Sequence, residues 1–327
     1  MKKLLMTAAA LAALTVSAQA EKVTLQLKWV TQAQFAGYYV AQEKGFYKDA
    51  GLEVTIKAGG PDINPEQVLA GGGADVIIDW MPSALASREK GATAVNIAQP
   101  FKRSGLLLAC RKETGITKPE DFKGKTIGVW FGGNEFPLLS WLSQLKLPTT
   151  GGADGVTLMK QGFNVDPFLQ KQADCISVMS YNEYHQILEA GVKADDVVVF
   201  NYTDFKVNNL EDGLYVSADK LKDPAFVATM AKFVKASMKG FDEMRKDPKG
   251  SVAAVLKNDA SGSQTEAHQA SMVDEVNKLT EGSDGMLDTA AADQTVANLM
   301  QGDTPVITKK PEGAWTDVVM KAVMALK

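Results

Sequence analysis

The chain has 327 residues, with 35 basic and 39 acidic side chains, and its formal net charge at pH 7 is −4. Basic and acidic residues are interspersed along the chain, and a protein without a basic stripe is not expected to bind nucleic acid. Hydrophobic residues make up 45% of the sequence, which is enough for the cores of two ordinary domains.

The first 20 residues have the pattern of a secretory signal peptide. Lys2 and Lys3 precede an apolar run over residues 4–16, and residues 18–20 (Ala-Gln-Ala) form a small-x-small cleavage pattern. The apolar run is too short for a transmembrane helix. No cysteine precedes Cys110, so an acceptor for a lipid anchor is missing. We therefore expect cleavage after Ala20 and a freely soluble periplasmic protein.

From residue 23 onward, short β-branched runs alternate with helical patterns. Pro65 is typical of the first turn of a helix, and Gly45 and Gly91 are typical of helix ends. The first series predicts strands at residues 23–27, 52–57, 75–79 and 93–98, with helices at 34–44, 64–71 and 83–90. Strands separated by helices form parallel or mixed sheets that are covered on both faces, so the sequence predicts an α/β fold.

The alternation restarts after Cys110. The second series predicts strands at 125–130, 155–159, 173–179 and 196–202, with helices at 135–145, 166–172 and 184–190. Helical patterns such as 226–244, 251–257 and 264–279 dominate the rest, and we expect them to pack on the first domain. The predicted organisation is a lobe 1 of residues 21–110 and 213–327 with an inserted lobe 2 of residues 111–212. Two crossover segments would join these mixed-sheet lobes around a cleft that closes by hinge motion.

Two cysteines, Cys110 and Cys175, lie in apolar strand-like runs that this division assigns to different lobes. A disulfide must be considered in an oxidising compartment, but buried free thiols are the interpretation that the sequence favours. The chain contains only two histidines, His185 and His268. We expect no metal site and no cofactor.

The residues that follow four of the predicted strands, those ending at 27, 79, 130 and 179, are rich in aromatic, acidic and amide side chains and contain no arginine, with Lys102 and Arg103 as the nearest exception. In open α/β sheets, ligands bind beyond the carboxyl ends of the strands. Aromatic faces and carboxylates suit a flat neutral or cationic ring with NH groups, whereas an anionic ligand would be expected to recruit arginine. The candidate ligand-binding residues are Trp29, Gln34, Phe35, Tyr38, Asp79, Trp80, Trp130, Gly132, Gly133, Asn134, Glu135, Tyr181 and Glu183.

Many of these candidates also have a purely structural interpretation. An aromatic side chain could belong to the core or the rim, which applies to Trp29, Trp80 and Tyr38. An acidic residue could cap a nearby helix, which applies to Asp79, Glu135 and Glu183. The glycines at 132–133 could form a plain tight turn instead of bringing the backbone close to a ligand, and they match no phosphate-loop pattern.

Motifs of catalysis are missing from the sequence. It contains no GxSxG elbow, no HExxH pair and no cysteine in a nucleophilic setting. We therefore assign no catalytic residue and do not expect an enzyme.

Three stretches of the chain resemble a known family. They are KWVTQAQFAGYYVAQEKGFYKDAGLEVTI at 28–56, GGGADVIIDWMPSALASREKG at 71–91 and DFKGKTIGVWFGGNEFP at 121–137. They are similar to the NMT1/THI5-like (SsuA/THI5-like) substrate-binding proteins of ABC transporters, in particular to binders of thiamine pyrimidine precursors. The resemblance implies a type II periplasmic binding protein fold that delivers a small molecule to an inner-membrane permease. We expect a monomer.

The resemblance also implies a set of ligands. Formylaminopyrimidine or hydroxymethylpyrimidine is the first choice, and riboflavin or an aliphatic sulfonate such as taurine is the alternative. An exported enzyme that uses the same cleft is the alternative class. Eukaryotic members of the group make the pyrimidine from a histidine and bound pyridoxal phosphate, but this chain lacks their cysteine-rich motif, and no histidine lies near the first strand end.

Overall fold

The computed structural model describes residues 19–326, so the predicted signal peptide lies outside the described residues except for its last two positions. The strands are β1 Glu21–Gln26, β2 Leu52–Lys57, β3 Val76–Asp79, β4 Ala94–Ala98, β5 Leu106–Arg111, β6 Thr126–Val129, β7 Thr157–Lys160, β8 Cys175–Met179, β9 Val197–Asn201 and β10 Gly213–Ser217. The helices are α1 Ala36–Glu43, α2 Phe46–Asp49, α3 Pro65–Ala70, α4 Met81–Glu89, α5 Phe136–Gln144, α6 Asp166–Leu169, α7 Glu183–Glu189, α8 Pro224–Lys246, α9 Pro248–Asn258, α10 Glu266–Leu279, α11 Thr289–Leu299 and α12 Val318–Ala325.

The local sequence signals explain where several elements begin. Pro65 occupies the first turn of α3, and the Asn64 side chain accepts a hydrogen bond from the Gln67 amide, as is typical of an N-cap residue. Asp223 caps the long helix α8 in the same way by accepting from the Ala225 amide.

The strands form two five-stranded mixed sheets, as the sequence predicted. The first sheet has the order β2-β1-β3-β10-β4 and the second has the order β7-β6-β8-β5-β9. In each sheet one strand runs antiparallel to its neighbours, β10 in the first sheet and β5 in the second. Each of these two strands enters its sheet directly after the chain has left the other sheet. The two sheets therefore have the same arrangement, and the chain passes between them once in each direction.

The chain crosses between the sheets twice, between β4 and β5 and between β9 and β10. The boundary expected at residue 110 falls inside β5, which belongs to the second sheet, so the crossing lies a few residues earlier. Strand β10 was not among the predicted strands. It pairs between β3 and β4. Its sequence GLYVS is short and follows a polar segment, so the strand pattern is weak.

The C-terminal helices cover the first sheet and its helices. Helix α8 packs along α1 and α12, and α10 packs on α9 and on the 3-10 turn Ala33–Phe35. Helix α11 is different because it packs on both α4 and α5, which follow strands of different sheets. None of the helices within residues 19–326 is long and apolar enough to cross a membrane.

The two cysteines form a disulfide, so the expectation of free thiols is wrong. The antiparallel register of β5 and β8 places Cys110 directly opposite Cys175 in the second sheet. The assignment of Cys110 to the other lobe hid this proximity. Because both ends of the bridge lie in one sheet, the disulfide does not tie the two sheets together.

Candidate functional site

A cavity lies between the two sheets, at the carboxyl ends of their parallel strands. It is narrow, with a free volume of about 10 Å³, and is lined by Trp29, Gln32, Gln34, Trp80, Trp130, Phe163, Met179, Tyr181, Asn182 and Glu183. The first four residues follow β1 and β3, and most of the others follow β6, β7 and β8. Both sheets therefore contribute to its wall, in the position where open α/β sheets bind ligands.

Three aromatic rings meet across the cavity. The ring of Trp29, from the first sheet, stacks on Phe163 with centroids 5.8 Å apart and an interplanar angle of 23°. Trp130 approaches Trp29 edge-on at 6.0 Å and donates from its indole Nε1 to the Gly162 carbonyl at 3.2 Å. Aromatic faces in such a group are suited to stacking on a flat ring.

Glu183 is the carboxylate of the second-sheet wall, and its side chain is buried. Its Oε2 accepts from the Met179 amide at 3.0 Å, and its Oε1 accepts from Asn182 Nδ2 at 2.9 Å. Burial raises the pKa of Glu183 to about 7, although the backbone hydrogen bond opposes the shift. Glu183 is thus held rigidly and is close to its titration point at neutral pH.

The first-sheet wall contains a charged network. Lys28 forms a buried ion pair with Asp79 Oδ1, and its ammonium lies 5.6 Å from the Trp80 ring centroid. Gln34 Nε2 donates to Asp212 Oδ2 at 2.6 Å. Burial raises the pKa of Asp212 to about 7, while the Gln34 hydrogen bond and Lys28 oppose the shift. The Oδ2 atom of Asp79 accepts no hydrogen bond from any described residue, so acceptor capacity remains here.

The buried charges in and around the cavity are mainly acidic. Burial and the Asp79 carboxylate raise the pKa of Glu66 to about 8, and burial together with Asp212 raises the pKa of Glu211 well above its usual range. Within residues 19–326, five carboxylate residues are buried but Lys28 is the only lysine or arginine in this class. Because Lys28 is paired with Asp79, an anionic ligand would find no unpaired buried cation among the described residues, whereas the carboxyl oxygens can accept hydrogen bonds from NH donors.

The structure brings together six of the predicted residues at the cavity: Trp29, Gln34, Trp80, Trp130, Tyr181 and Glu183. Gly132 and Asn134 lie instead beside a second cavity with a free volume of about 100 Å³, which shares Trp29 with the first. Asp79 lies behind Lys28 and Trp80, where it pairs with Lys28.

Besides Asp79, four further predicted residues do not lie at either cavity. Phe35 and Tyr38 are core residues, and Tyr38 contacts Phe241 of α8 edge-on at 5.1 Å. Glu135 Oε2 accepts from the Gly133 amide at 2.7 Å, so this carboxylate stabilises its own turn. Gly133 has φ +104°, and a Cβ there would lie 2.6 Å from Ser83 Oγ. The close contact with α4 thus explains why a glycine is required here.

Sequence reasoning missed four residues of the cavity wall: Gln32, Phe163, Met179 and Asn182. Gln32 and Asn182 stand in the strand-end segments that the sequence singled out, and their polar side chains were a usable signal. Phe163 follows β7, where the sequence predicted no candidate residue. Asp212 and Glu211 precede the unpredicted β10, so their proximity to Gln34 and to Gly105 had no sequence signal.

Within residues 19–326, no group of three or more histidine, cysteine or acidic residues could hold a metal ion. The described residues of the cavity wall include no histidine. The aromatic rings and the Glu183 carboxyl of the cavity wall can stack on a flat ring and accept hydrogen bonds from it.

Comparison with solved structures defines the class of fold. The structure matches the periplasmic aliphatic sulphonate binding protein SsuA from Escherichia coli with a TM-score of 0.61, covering 85% of this chain and 90% of that chain at 17% identity. A solved protein from Bordetella bronchiseptica RB50 gives a TM-score of 0.68 at 20% identity, covering 94% and 98% of the two chains. The chain thus has the two-lobed periplasmic binding protein fold.

The family is shown by the sequence itself. The family model described as "NMT1/THI5 like" matches residues 32–251, which is most of the chain, so the chain belongs to this family.

Curated relatives include binding proteins and enzymes. The formylaminopyrimidine-binding protein of Halalkalibacterium halodurans is 23% identical over 240 residues, which are 73% of this chain and 71% of that protein. The riboflavin-binding protein RibY of Chloroflexus aurantiacus is 25% identical over 241 residues, 70% of this chain and 64% of RibY. The 4-amino-5-hydroxymethyl-2-methylpyrimidine phosphate synthase of Aspergillus parasiticus is 28% identical over 148 residues, covering only 44% and 42% of the chains.

Proposed function

We propose that this protein is the periplasmic substrate-binding component of an ABC importer and that it captures a small, flat, nitrogen-rich heterocycle. The observation that carries the proposal is the cavity between the sheets, which combines aromatic faces with a buried carboxylate and has no arginine among its described wall residues. The relatives that match about 70% of the chain are themselves named as binding proteins.

The proposed ligand is a thiamine pyrimidine precursor such as formylaminopyrimidine or hydroxymethylpyrimidine. A pyrimidine ring would stack against Trp29 or Trp130, and Glu183 would accept a hydrogen bond from its amino group. The name of the Halalkalibacterium relative supports this ligand. Riboflavin, the ligand in the name of RibY, is the alternative with a fused ring. An aliphatic sulfonate is disfavoured because the described residues of the cavity wall include no lysine or arginine.

We further propose that binding is accompanied by hinge closure. The moving bodies would be residues 19–104 with 212–326 and residues 105–211, because the two crossings fall near those points. Glu211 joins the crossings, since its Oε1 accepts from the Gly105 amide at 2.6 Å and its backbone carbonyl accepts from Gln99 Nε2 at 2.6 Å. Hinge residues at the ends of elements are typical of such closure.

The proposed partner is a permease in the inner membrane, to which the closed protein would deliver its ligand. A solved neighbour, named as the ligand-binding component of an ABC-type import system from Staphylococcus aureus, supports this setting. Export to the periplasm is part of the proposal.

The direct test is isothermal titration calorimetry of the purified protein with four probes: 4-amino-5-hydroxymethyl-2-methylpyrimidine, formylaminopyrimidine, riboflavin and taurine. We expect binding of an aminopyrimidine and none of taurine. Glu183→Gln, which keeps the shape but replaces an acceptor oxygen with a donor, should weaken aminopyrimidine binding by roughly tenfold or more, the loss expected for a charge-assisted hydrogen bond. Glu53→Gln, which changes an exposed carboxylate of β2, is the matched charge control. Binding of taurine alone would overturn the proposed ligand class.

The enzyme class is separated by a second readout. The synthase relatives match less than half of the chain, and His268 is buried behind Asn182 instead of lining the cavity. Incubation with pyridoxal phosphate should therefore leave the mass of the protein unchanged. Loss of mass from the chain together with a pyrimidine product would show a synthase.

A further inference from the structure

His268 connects the helices of the first sheet to the second sheet beside the cavity. It lies in the first turn of α10 and is 8% exposed. Its Nε2 is 2.8 Å from Asn182 Oδ1, and its Nδ1 is 3.0 and 3.1 Å from the two carboxylate oxygens of Glu189. Asn182 and Glu189 lie at the two ends of α7, which follows β8 of the second sheet.

The orientation of the Asn182 amide is fixed by its other partners. Its Nδ2 donates to Glu183 Oε1 at 2.9 Å and points to Gln32 Oε1 at 3.4 Å. Its Oδ1 accepts from Gln186 Nε2 at 2.9 Å. The atom that faces His268 is therefore an acceptor.

Both nitrogens of the His268 ring thus face acceptor oxygens. A neutral imidazole has one donor and one acceptor nitrogen, and only the imidazolium donates from both. We propose that His268 is a protonation-dependent latch, which in its imidazolium form holds α7 against α10 and positions Asn182 at the ligand cavity. The latch regulates the closure described above and so rests on the proposed function.

The helix that carries the His268 ring is surrounded by α7, by the 3-10 turn at 33–35, and by α8 and α9. Helix α7 supplies Glu189 directly and Glu183 through Asn182, whereas the 3-10 turn Ala33–Phe35 and the residue before it supply only uncharged amides. Charged residues of α8 and α9 are engaged elsewhere: Arg245 bonds Thr280 at the far end of α10, and Lys257 pairs with Glu43 of α1. Deprotonation of His268 therefore leaves two acceptors facing a ring that can donate to only one.

Asn182 transmits the effect to the cavity. It lines the cavity with Glu183 and Gln32 and touches both. When His268 loses its second proton, the Asn182 Oδ1 contact becomes unfavourable, and the two sheets lose a contact next to the ligand. The protein should therefore close more readily at acidic pH than at alkaline pH.

Small-angle X-ray scattering of the protein without added ligand tests the latch across about pH 5.5 to 8.5, the range in which histidine side chains change charge. Wild type should expand as the pH rises, with the ratio of closed to open molecules falling about tenfold, the size of one charge-assisted hydrogen bond. His268→Gln should be open and insensitive to pH. The second histidine supplies the control, because His185→Gln should expand like wild type.

Two outcomes overturn the latch: a wild type that does not expand, or a His268→Gln protein that expands with the wild-type profile. Circular dichroism checks the fold of each variant. If His268→Gln does not fold, Glu189→Gln removes the other partner and should reduce the response. Failure of the proposed function is distinct, because it would appear in the calorimetric titrations as no binding of any probe.

Discussion

The cavity between the sheets and the interface between α1 and α8 are both buried, but they bury different kinds of atoms. The helix interface is apolar and close-packed, with Gly37 of α1 against the ring of Phe241. Carboxylates and a lysine are buried near the cavity, and Asp79 Oδ2 accepts no hydrogen bond from the described residues. Buried polar groups that are incompletely paired cost stability. The difference indicates that the interface stabilises the fold, whereas the polar groups near the cavity reduce stability.

The largest effect is expected from overpacking the helix interface. In Gly240→Ala the new Cβ would lie 2.0 Å from the Gly37 carbonyl oxygen and 2.8 Å from Ala41 Cβ, so the backbones must separate. The change should lower the free energy of unfolding by about 4 kcal/mol, although alanine is the better helix former. Urea denaturation measures this, with the exposed Lys246→Ala of the same helix as control, which should change stability by less than about 0.5 kcal/mol. Equal midpoints for the two variants would show that the interface is loosely packed.

Removal of the disulfide should have the next largest effect on stability and little effect on binding. The bridge closes a sequence separation of 65 residues, and Cys110→Ala with Cys175→Ala should cost about 2–4 kcal/mol. Because both ends lie in the second sheet, affinity for a bound probe should change by less than about twofold. Thermal unfolding and calorimetry of the double variant check the two halves of this prediction. A large loss of affinity with unchanged stability would contradict the placement of the bridge within one sheet.

Protein stability should decrease as the pH rises from about 6 to 8. Burial raises the folded-state pKa of Glu183 and Asp212 to about 7 each, so the folded state binds more protons than the unfolded state below this pH. Their contribution is fully present below the unfolded pKa and is lost as the pH rises through the folded value, by about 1 kcal/mol for each carboxyl over this range. Chemical denaturation at several pH values should show a smaller decrease in Glu183→Gln than in wild type. A stability that rises over the range would contradict the burial of these carboxyls in protonated form.

Substitution of a cavity tryptophan should weaken binding more than Gly240→Ala does, when folded molecules of both variants are compared. Trp29→Ala removes a ring that stacks on Phe163, and base–aromatic stacking is worth about 1–3 kcal/mol. The dissociation constant of an aminopyrimidine should therefore rise roughly 5- to 150-fold in calorimetry. Trp141 lies in the core around the second sheet, away from the cavity. Trp141→Phe should therefore leave the dissociation constant unchanged. Unchanged affinity in Trp29→Ala would remove the stacking role.

The smallest effect is expected for Glu135→Gln. The Glu135 carboxylate accepts from the Gly133 amide in its own turn, and a glutamine oxygen can accept the same bond. Affinity for an aminopyrimidine should change by less than about twofold, and stability by less than about 1 kcal/mol. A tenfold loss of affinity would instead show that this carboxylate reaches the ligand and would restore the role that the sequence gave it.

The alternation of strands and helices was visible in the sequence because β-branched runs and helical patterns have different periods. Strand β10 was missed because it has only five residues and pairs antiparallel within the first sheet. The same long-range pairing hid the disulfide, since Cys110 and Cys175 meet only through the register of β5 and β8.

Residues of the cavity wall were predicted best where they follow a parallel strand, as Trp29, Trp80 and Trp130 do. Local sequence could not separate Tyr38 from them, because its place in the core is decided by α8, a helix almost two hundred residues further along the chain. Nor could it show that Glu135 bonds its own turn or that Asp212 approaches Gln34.

Native mass spectrometry of the protein purified from a periplasmic extract tests the central claim most directly, because it identifies the ligand that the cavity selects from a natural mixture. We expect one bound small molecule per chain, released on denaturation and identified by its fragments as an amino-substituted heterocycle. The bound species should be lost from Trp29→Ala and retained in Glu135→Gln. Recovery of a sulfonate or another anion at one per chain would contradict the account of a cavity built from aromatic rings and buried carboxylates.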